Sequence, residues 1–491
     1  MNAAAAKVGE TCEPPGLTPR GARHAFPRAV RRLAILSVLL LAVGSCVTAE
    51  DGTSGSSQDP TTPGRAENGT ATSGDGTRPS QQQDATRGLS HVLVTGQSNS
   101  VGFAGTPALT TTQPFQNLMF DVGVMTARSC DDDGCLDYAK PTKLVPLVEG
   151  DTYFDYPVET IASGLANEAA KLTPQSQLLV SVHGRSGNSY ACLRKGGCAF
   201  YEDKSYLRPF EEAMKQVEDA KALAASQKLD YVVRAVAVIH GESDHYAPPF
   251  PLDGTSGAAG GVQTYADALV EWQQDYETSI QALTRQTAPV PLLVSQMSNW
   301  NDRPESEIPT RQLEAHGRAQ GKVVLVGPTY MLPFAEDCIH FTNHGERRLG
   351  EYFAKAYSRV VAGSWEPLRP IAATRSGTNV VVRFAVPAPP LVLDTERVTD
   401  PGGFGFEWVG GDGNTLTIKD VKVTAPDAVT IELASAPSGP GRVRYAMRAT
   451  PYTCPGPTSG PRGNLRDSDA TPSMYGYDLT NWAVHFDLPV E

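Results

Sequence analysis

His91-Val92-Leu93-Val94-Thr95, followed at once by Gly96-Gln97-Ser98-Asn99-Ser100, is the stretch on which the fold turns. The first five residues read as a strand and the next five as a polar turn, so a buried strand stops abruptly at Gly96. Consecutive apolar positions, rather than strict alternation, suit a strand covered on both faces, as in a parallel sheet. A serine just past the carboxyl end of such a strand stands where open α/β sheets collect their ligands. Taken alone, Gly-Gln-Ser-Asn is also an ordinary turn, so a functional reading of Ser98 needs partners elsewhere in the chain.

Working outward, four more apolar runs share this character: residues 177–183, 232–240, 292–296 and 323–326. Between them lie helical periodicities over 158–172, 207–227 and 265–283, with a last helix over 346–361 for which Asn343 is the candidate cap. Strand and helix in alternation predict a three-layer α/β/α sandwich on a five-stranded parallel sheet, of flavodoxin-like type. Beyond Trp365 the chain changes to short β-prone runs at 380–386, 415–418 and 429–433, separated by Gly, Pro and Asp. These predict a β-sandwich-like C-terminal domain over 366–491, in which a long loop after Pro451 returns to a last strand.

A base for Ser98 is available in Asp337-Cys338-Ile339-His340. Two intervening residues in a non-helical loop let the carboxylate reach the imidazole and fix its tautomer, leaving the other ring nitrogen for a serine. A third polar segment, His240-Gly241-Glu242-Ser243-Asp244, emerges directly from the apolar run that ends at Ile239. It therefore leaves the sheet at the same edge as Ser98.

With these three segments in view, the chain resembles the sialate O-acetylesterase group, carbohydrate esterase family six included, within the SGNH hydrolases, over roughly residues 89–362. The resemblance implies a serine esterase that needs no cofactor or metal, with Ser98 as nucleophile and Asp337 and His340 completing the triad. It implies an oxyanion hole built from the Ser98 backbone N–H, a glycine after the second strand, and a side chain of the third segment. The glycine is Gly187, with Gly184 as rival. The side chain falls at His240, where the family commonly has glutamine. Gln97, Asn188 and Glu242 complete the candidate oxyanion and substrate-binding set, and Tyr190, Trp272 and Trp300 are candidate pocket walls. The implied substrate is acetylated carbohydrate, such as sialic acid or xylan. Two alternatives stay open: a surface lipoprotein that binds glycan without turnover, and an esterase of the same fold acting on lipid or peptidoglycan.

The N-terminal region points to export. Six basic side chains against two acidic ones give the first 45 residues a charge of +4, and an apolar run from Leu33 to Val43 follows the arginines. The run is too short to span a bilayer and fits the core of a signal peptide. Val43-Gly44-Ser45-Cys46 resembles a lipobox, which makes Cys46 the candidate lipidation site and a lipid anchor the expected link to the membrane. An ordinary signal peptide cut near Ala49, or an uncleaved anchor, is the alternative. Residues 46–88 are rich in Ser, Thr, Gly, Gln, Asp and Pro and read as a disordered linker.

The net charge of −12 becomes −16 without the leader. Phosphate backbones need clustered Lys and Arg to release their counterions, so nucleic acid is not an expected partner. Beyond Cys12 and Cys46, six cysteines remain, an even number that suits an oxidising compartment. Their spacing favours Cys130 with Cys135 and Cys192 with Cys198, which leaves Cys338 for Cys454. Asp131-Asp132-Asp133-Gly134 lacks the alternating ligands and closing glutamate of a calcium loop, and reads instead as an acidic loop closed by its flanking cysteines.

Overall fold

The computed structural model describes residues 88–491 except 130–135, 151–153, 155, 175, 198–206 and 256–260. The signal segment, Cys46, the linker before Gly88, Cys130, Cys135, Cys198 and the 131–134 loop lie outside the described residues.

The central sheet has seven strands, not five. In spatial order they are Leu144–Pro146, Leu118–Phe120, Gln177–Val182, Gly88–Gly96, Asp230–Ile239, Leu292–Gln296 and Val323–Pro328. The last five are the expected strands, and each pairs with its neighbour in parallel. The two extra strands extend one edge, Leu118–Phe120 in parallel and Leu144–Pro146 antiparallel to it. Each has three residues, too few to display a period of two, which is why the pattern did not reveal them.

Helices cover both faces. In the central strand Val92 and Val94 point into one core with Ile161, Leu165, Leu349 and Phe353. Leu93 points into the other with Val217, Leu269 and Trp272. Alternate residues of a strand face opposite sides, so one apolar run serves both layers. The helices Ile161–Leu172 and Asn343–Ala362 lie on the first face, and Pro209–Ser226 and Tyr265–Thr284 on the second. The helix expected from Glu346 begins three residues earlier. Thr342, not Asn343, is its cap: it is extended and its Oγ1 accepts the Gly345 N–H.

After Leu368 the chain forms two four-stranded antiparallel sheets. One orders Arg369–Ser376, Asn379–Ala385, Ala428–Leu433 and Ile418–Ala425; the other orders Thr415–Leu416, Phe406–Gly410, Gly441–Tyr445 and Phe486–Val490. Val382, Phe384, Ile431, Trp408, Tyr445 and Phe486 from both sheets share a core. The expected 415–418 strand splits at Thr417 into a two-residue piece and a longer strand.

The described residues form one compact unit. Its two halves are bonded through buried groups. Gln296 exchanges two hydrogen bonds with the backbone of His485, at 3.0 and 2.8 Å. Lys355, buried in the last helix, reaches Asn481 Oδ1 and Asp469 Oδ2, each at 2.8 Å. Burial lowers the Lys355 ammonium pKa against the pull of Asp469. Cys338 and Cys454 form a disulfide between the halves, the pairing expected once the short-spaced cysteines are set aside.

Candidate active site

Every polar segment singled out in the sequence leaves the sheet at its carboxyl edge. Ser98 lies two residues beyond the Gly88–Gly96 strand and opens the one-turn helix Ser98–Val101. Its hydroxyl donates to Nε2 of His340 at 2.7 Å. On the far side of the ring, the Nδ1–H donates to Asp337 Oδ2, also at 2.7 Å. A serine, a histidine and a carboxylate are thus hydrogen-bonded in series, with Ser98 and His340 brought together from 242 positions apart, the arrangement a nucleophilic hydrolase requires.

Asp337 holds more than the ring. Its Oδ1 accepts the backbone N–H groups of Ile339 and His340, each at 3.0 Å. Partial burial would raise the Asp337 carboxyl, but these bonds and the imidazole outweigh it and hold the pKa below the usual range. The carboxylate therefore stays ionised beside the His340 ring.

Two asparagines that the sequence reading passed over grip the same loop. Asn99 donates to the Ile339 carbonyl at 3.4 Å and accepts the Phe341 N–H at 3.2 Å, so one amide brackets His340. Asn299 donates to the same Ile339 carbonyl at 2.8 Å. Burial pushes the Glu242 carboxyl up to about 7, and its interactions with the Asn299 and Asn99 amides oppose the rise. Asn99 lay inside the quoted motif and was legible there. Asn299 had only its place, three residues past an apolar run, to mark it.

The other candidates take distinct places. Gln97 is buried, and its Oε1 accepts the Ser243 N–H at 2.9 Å, tying the serine turn to the Glu242 segment. Gly187 is exposed with φ +72, a conformation suited to glycine, and a Cβ there would meet nothing within 4 Å. Gly184 differs: a side chain there would strike Ser100, so its role is close packing beneath the serine turn.

His240 is corrected as a candidate oxyanion donor. Its ring is buried, Nε2 donates to the Asn188 carbonyl at 3.0 Å, and Nδ1 accepts the Tyr265 hydroxyl at 2.8 Å. Both nitrogens are engaged, and burial lowers the ring pKa to about 4, so it stays neutral and anchors the loop that carries Gly187 and Asn188. Asn188, half-buried, turns its own amide to the Ser186 carbonyl at 3.0 Å.

Tyr190, Trp272 and Trp300 are also corrected: all three are fully buried core residues, not pocket walls. Large aromatic residues pack well in an interior, and sequence alone does not say which are left uncovered. The aromatic group at the site is a different set. Phe103 packs on the His340 ring at 4.4 Å between centroids, Phe154 meets Phe103 edge-on at 5.3 Å, and Tyr156 stacks on Phe154 at 5.6 Å.

No family model matches the sequence, and no curated protein matches it. Solved structures do resemble the fold. A carbohydrate acetylesterase from Xanthomonas citri is 17% identical over 81% of this chain and 80% of its own, with a TM-score of 0.49. The structure of NanS is 12% identical over 56% of this chain and 98% of its own, with a TM-score of 0.35. Est24, a carbohydrate acetylesterase from Sinorhizobium meliloti, is 12% identical over 55% of this chain and 98% of its own, with a TM-score of 0.29.

Proposed function

We propose that this chain is a serine esterase that removes O-acetyl groups from carbohydrate through an acetyl-Ser98 intermediate. The observation that carries the reading is the pair of 2.7 Å bonds from His340 to Ser98 and to Asp337. His340 takes the Ser98 proton as Oγ attacks the ester carbonyl, then gives it to the departing sugar oxygen. Water, deprotonated by the same ring, attacks the acetyl carbonyl, and as the Ser98–acetyl bond breaks the ring returns that proton to Ser98 Oγ and acetate leaves. The backbone N–H groups of Ser98 and Gly187 are the proposed oxyanion donors. The exposed, left-handed glycine supports the second assignment, since no side chain at that position stands in the way of an approaching ester.

The carbohydrate part of the proposal rests on the motif resemblance and on the aromatic group against His340. We also propose, from the leader and the Val43–Cys46 segment, that the protein is exported and held to the membrane through lipid on Cys46.

The test is acetate release from a chromogenic acetyl ester and from acetylated xylo-oligosaccharides by protein lacking residues 1–87. Ser98→Ala and His340→Ala should each lower kcat by at least about 10³-fold, within the range lost when a triad member is removed. Turnover retained in either variant rejects the assignment.

A further inference from the structure

Among the described residues five large apolar or aromatic side chains are exposed: Phe103, Tyr246, Val361, Ile371 and Tyr452. Single exposed side chains are ordinary, but three of these five converge on the catalytic loops. Phe103 packs on His340. Tyr246 ends the Glu242–Tyr246 helix, and its hydroxyl donates to Asn301 Oδ1 at 3.2 Å. Tyr452, 89% exposed, is in the C-terminal half, and its backbone N–H donates to the Asn301 carbonyl at 2.7 Å. Residue 301 thus joins two exposed tyrosines, two positions after the asparagine that grips the Ile339 carbonyl.

The segment carrying Tyr452 is pinned on both sides. Ala449 N–H donates to the Pro304 carbonyl at 2.8 Å, and Cys454 is bonded to Cys338, the residue after Asp337. The Cα atoms of that disulfide are 4.5 Å apart. At 3.8 Å per residue, Tyr452 Cα lies no more than about 12 Å from that of Cys338. Tyr452 itself has φ +63, a left-handed conformation that costs a non-glycine residue energy and persists where the surroundings fix it. An exposed aromatic ring on a loop pinned to the segment that carries Asp337 and His340 is a preorganised contact surface, which loses little entropy on binding.

We propose that Tyr452 is a specificity-determining residue: its ring stacks on a pyranose ring of the acetylated glycan, so the C-terminal half supplies part of the substrate site. The inference rests on the carbohydrate esterase reading above and deepens it. Uncharged sugar rings suit this surface. They offer C–H faces to an aromatic ring and hydroxyls to its edge, and the net charge of −12 disfavours a polyanion.

The test uses binding, so it does not depend on turnover. In a Ser98→Ala background, which cannot form the acyl intermediate, acetylated xylo-oligosaccharide is titrated by calorimetry. Adding Tyr452→Ala should raise Kd about fivefold to tenfold, the size of one ring-stacking contact. Tyr452→Trp should restore it, and Ile371→Ala should leave it as it was. Equal binding with and without the tyrosine, an equal loss in Ile371→Ala, or no binding by the Ser98→Ala protein would overturn the proposal. Failure of the unaltered protein to hydrolyse any acetyl ester would instead strike the esterase reading, with the titration still deciding the role of Tyr452.

Discussion

Removing the Cys338–Cys454 disulfide should cost both stability and rate, and the two losses have separable causes. The bond closes a loop of 116 residues. In the chain-entropy treatment a loop of that length restricts the unfolded chain by about 5 kcal/mol. The double variant Cys338→Ala/Cys454→Ala should therefore be less stable by up to about 5 kcal/mol, read from equilibrium urea unfolding. Cys338 also sits at φ +62 directly after Asp337, whose carboxylate bonds the His340 ring. A left-handed L-residue costs about 1–2 kcal/mol, and without the crosslink that strain can relax by moving the loop.

The rate effect follows from what remains. Asn99 and Asn299 still grip residues 339 and 341 after the disulfide is gone, so the loop loosens but stays in place. A misplacement on the order of 1 Å can cost about 10²-fold in rate. The expected result is a fall in kcat of about 10- to 100-fold on a chromogenic acetyl ester, with a smaller change in KM. Cys338→Gly/Cys454→Ala separates the causes, because glycine holds a positive φ without strain. It should recover much of kcat while remaining destabilised by the longer free loop. Wild-type stability and wild-type kcat in the double alanine variant would refute the reasoning. Equal kcat in the alanine and glycine variants would refute the strain argument alone.

Two further outcomes are expected. Asn99→Ala removes both bonds that bracket His340. At about 0.5–1.5 kcal/mol each, the pair should be worth on the order of tenfold or more in kcat, measured on the same ester beside a thermal melt that shows the fold intact; an unchanged kcat would remove Asn99 from the positioning role. The second concerns pH. The Glu242 pKa rises to about 7 in the fold, so between its ordinary value and 7 the folded protein binds the extra proton and stability falls as pH rises. Glu242→Gln cannot titrate. Its stability relative to the unaltered protein should therefore improve by up to about 3 kcal/mol between pH 4.5 and 7, read from urea midpoints across that range. A constant difference across that window would mean that Glu242 titrates normally.

Much of this architecture was legible because its signals are local. The five long strands announce themselves as apolar runs, and Ser98, Gln97 and Asn99 follow directly from the end of one of them. The Asp337 to His340 spacing is also local, and the carboxylate closes on the ring within a single turn. His240 was misread because its chemistry depends on Tyr265 and the Asn188 carbonyl, 25 and 52 positions away. A histidine at a sheet edge has the same sequence signature whether its ring faces a ligand or is satisfied underneath. The buried Tyr190, Trp272 and Trp300 failed for the matching reason: aromatic side chains serve cores and open surfaces alike.

The same distinction explains where the C-terminal half enters. Its contacts with the catalytic loop, Cys454 to Cys338 and Tyr452 to Asn301, span 116 and 151 positions. Of these, only the disulfide left a trace, through the counting of cysteines. The loop from Asp337 to His340 is anchored from the serine turn by Asn99 and from the loop after the Leu292–Gln296 strand by Asn299, and to the C-terminal half by the crosslink. A carboxylate whose side chain is 40% exposed, as that of Asp337 is, has little packing to fix it. It is held instead by its bonds to the Ile339 and His340 backbone and the His340 ring, and the crosslink at the next residue ties that loop to the β-rich half. The disulfide variant should therefore lower stability and kcat and the Tyr452 variant should weaken glycan binding, and the two effects should be separable in assay although Tyr452 and Cys454 lie two positions apart.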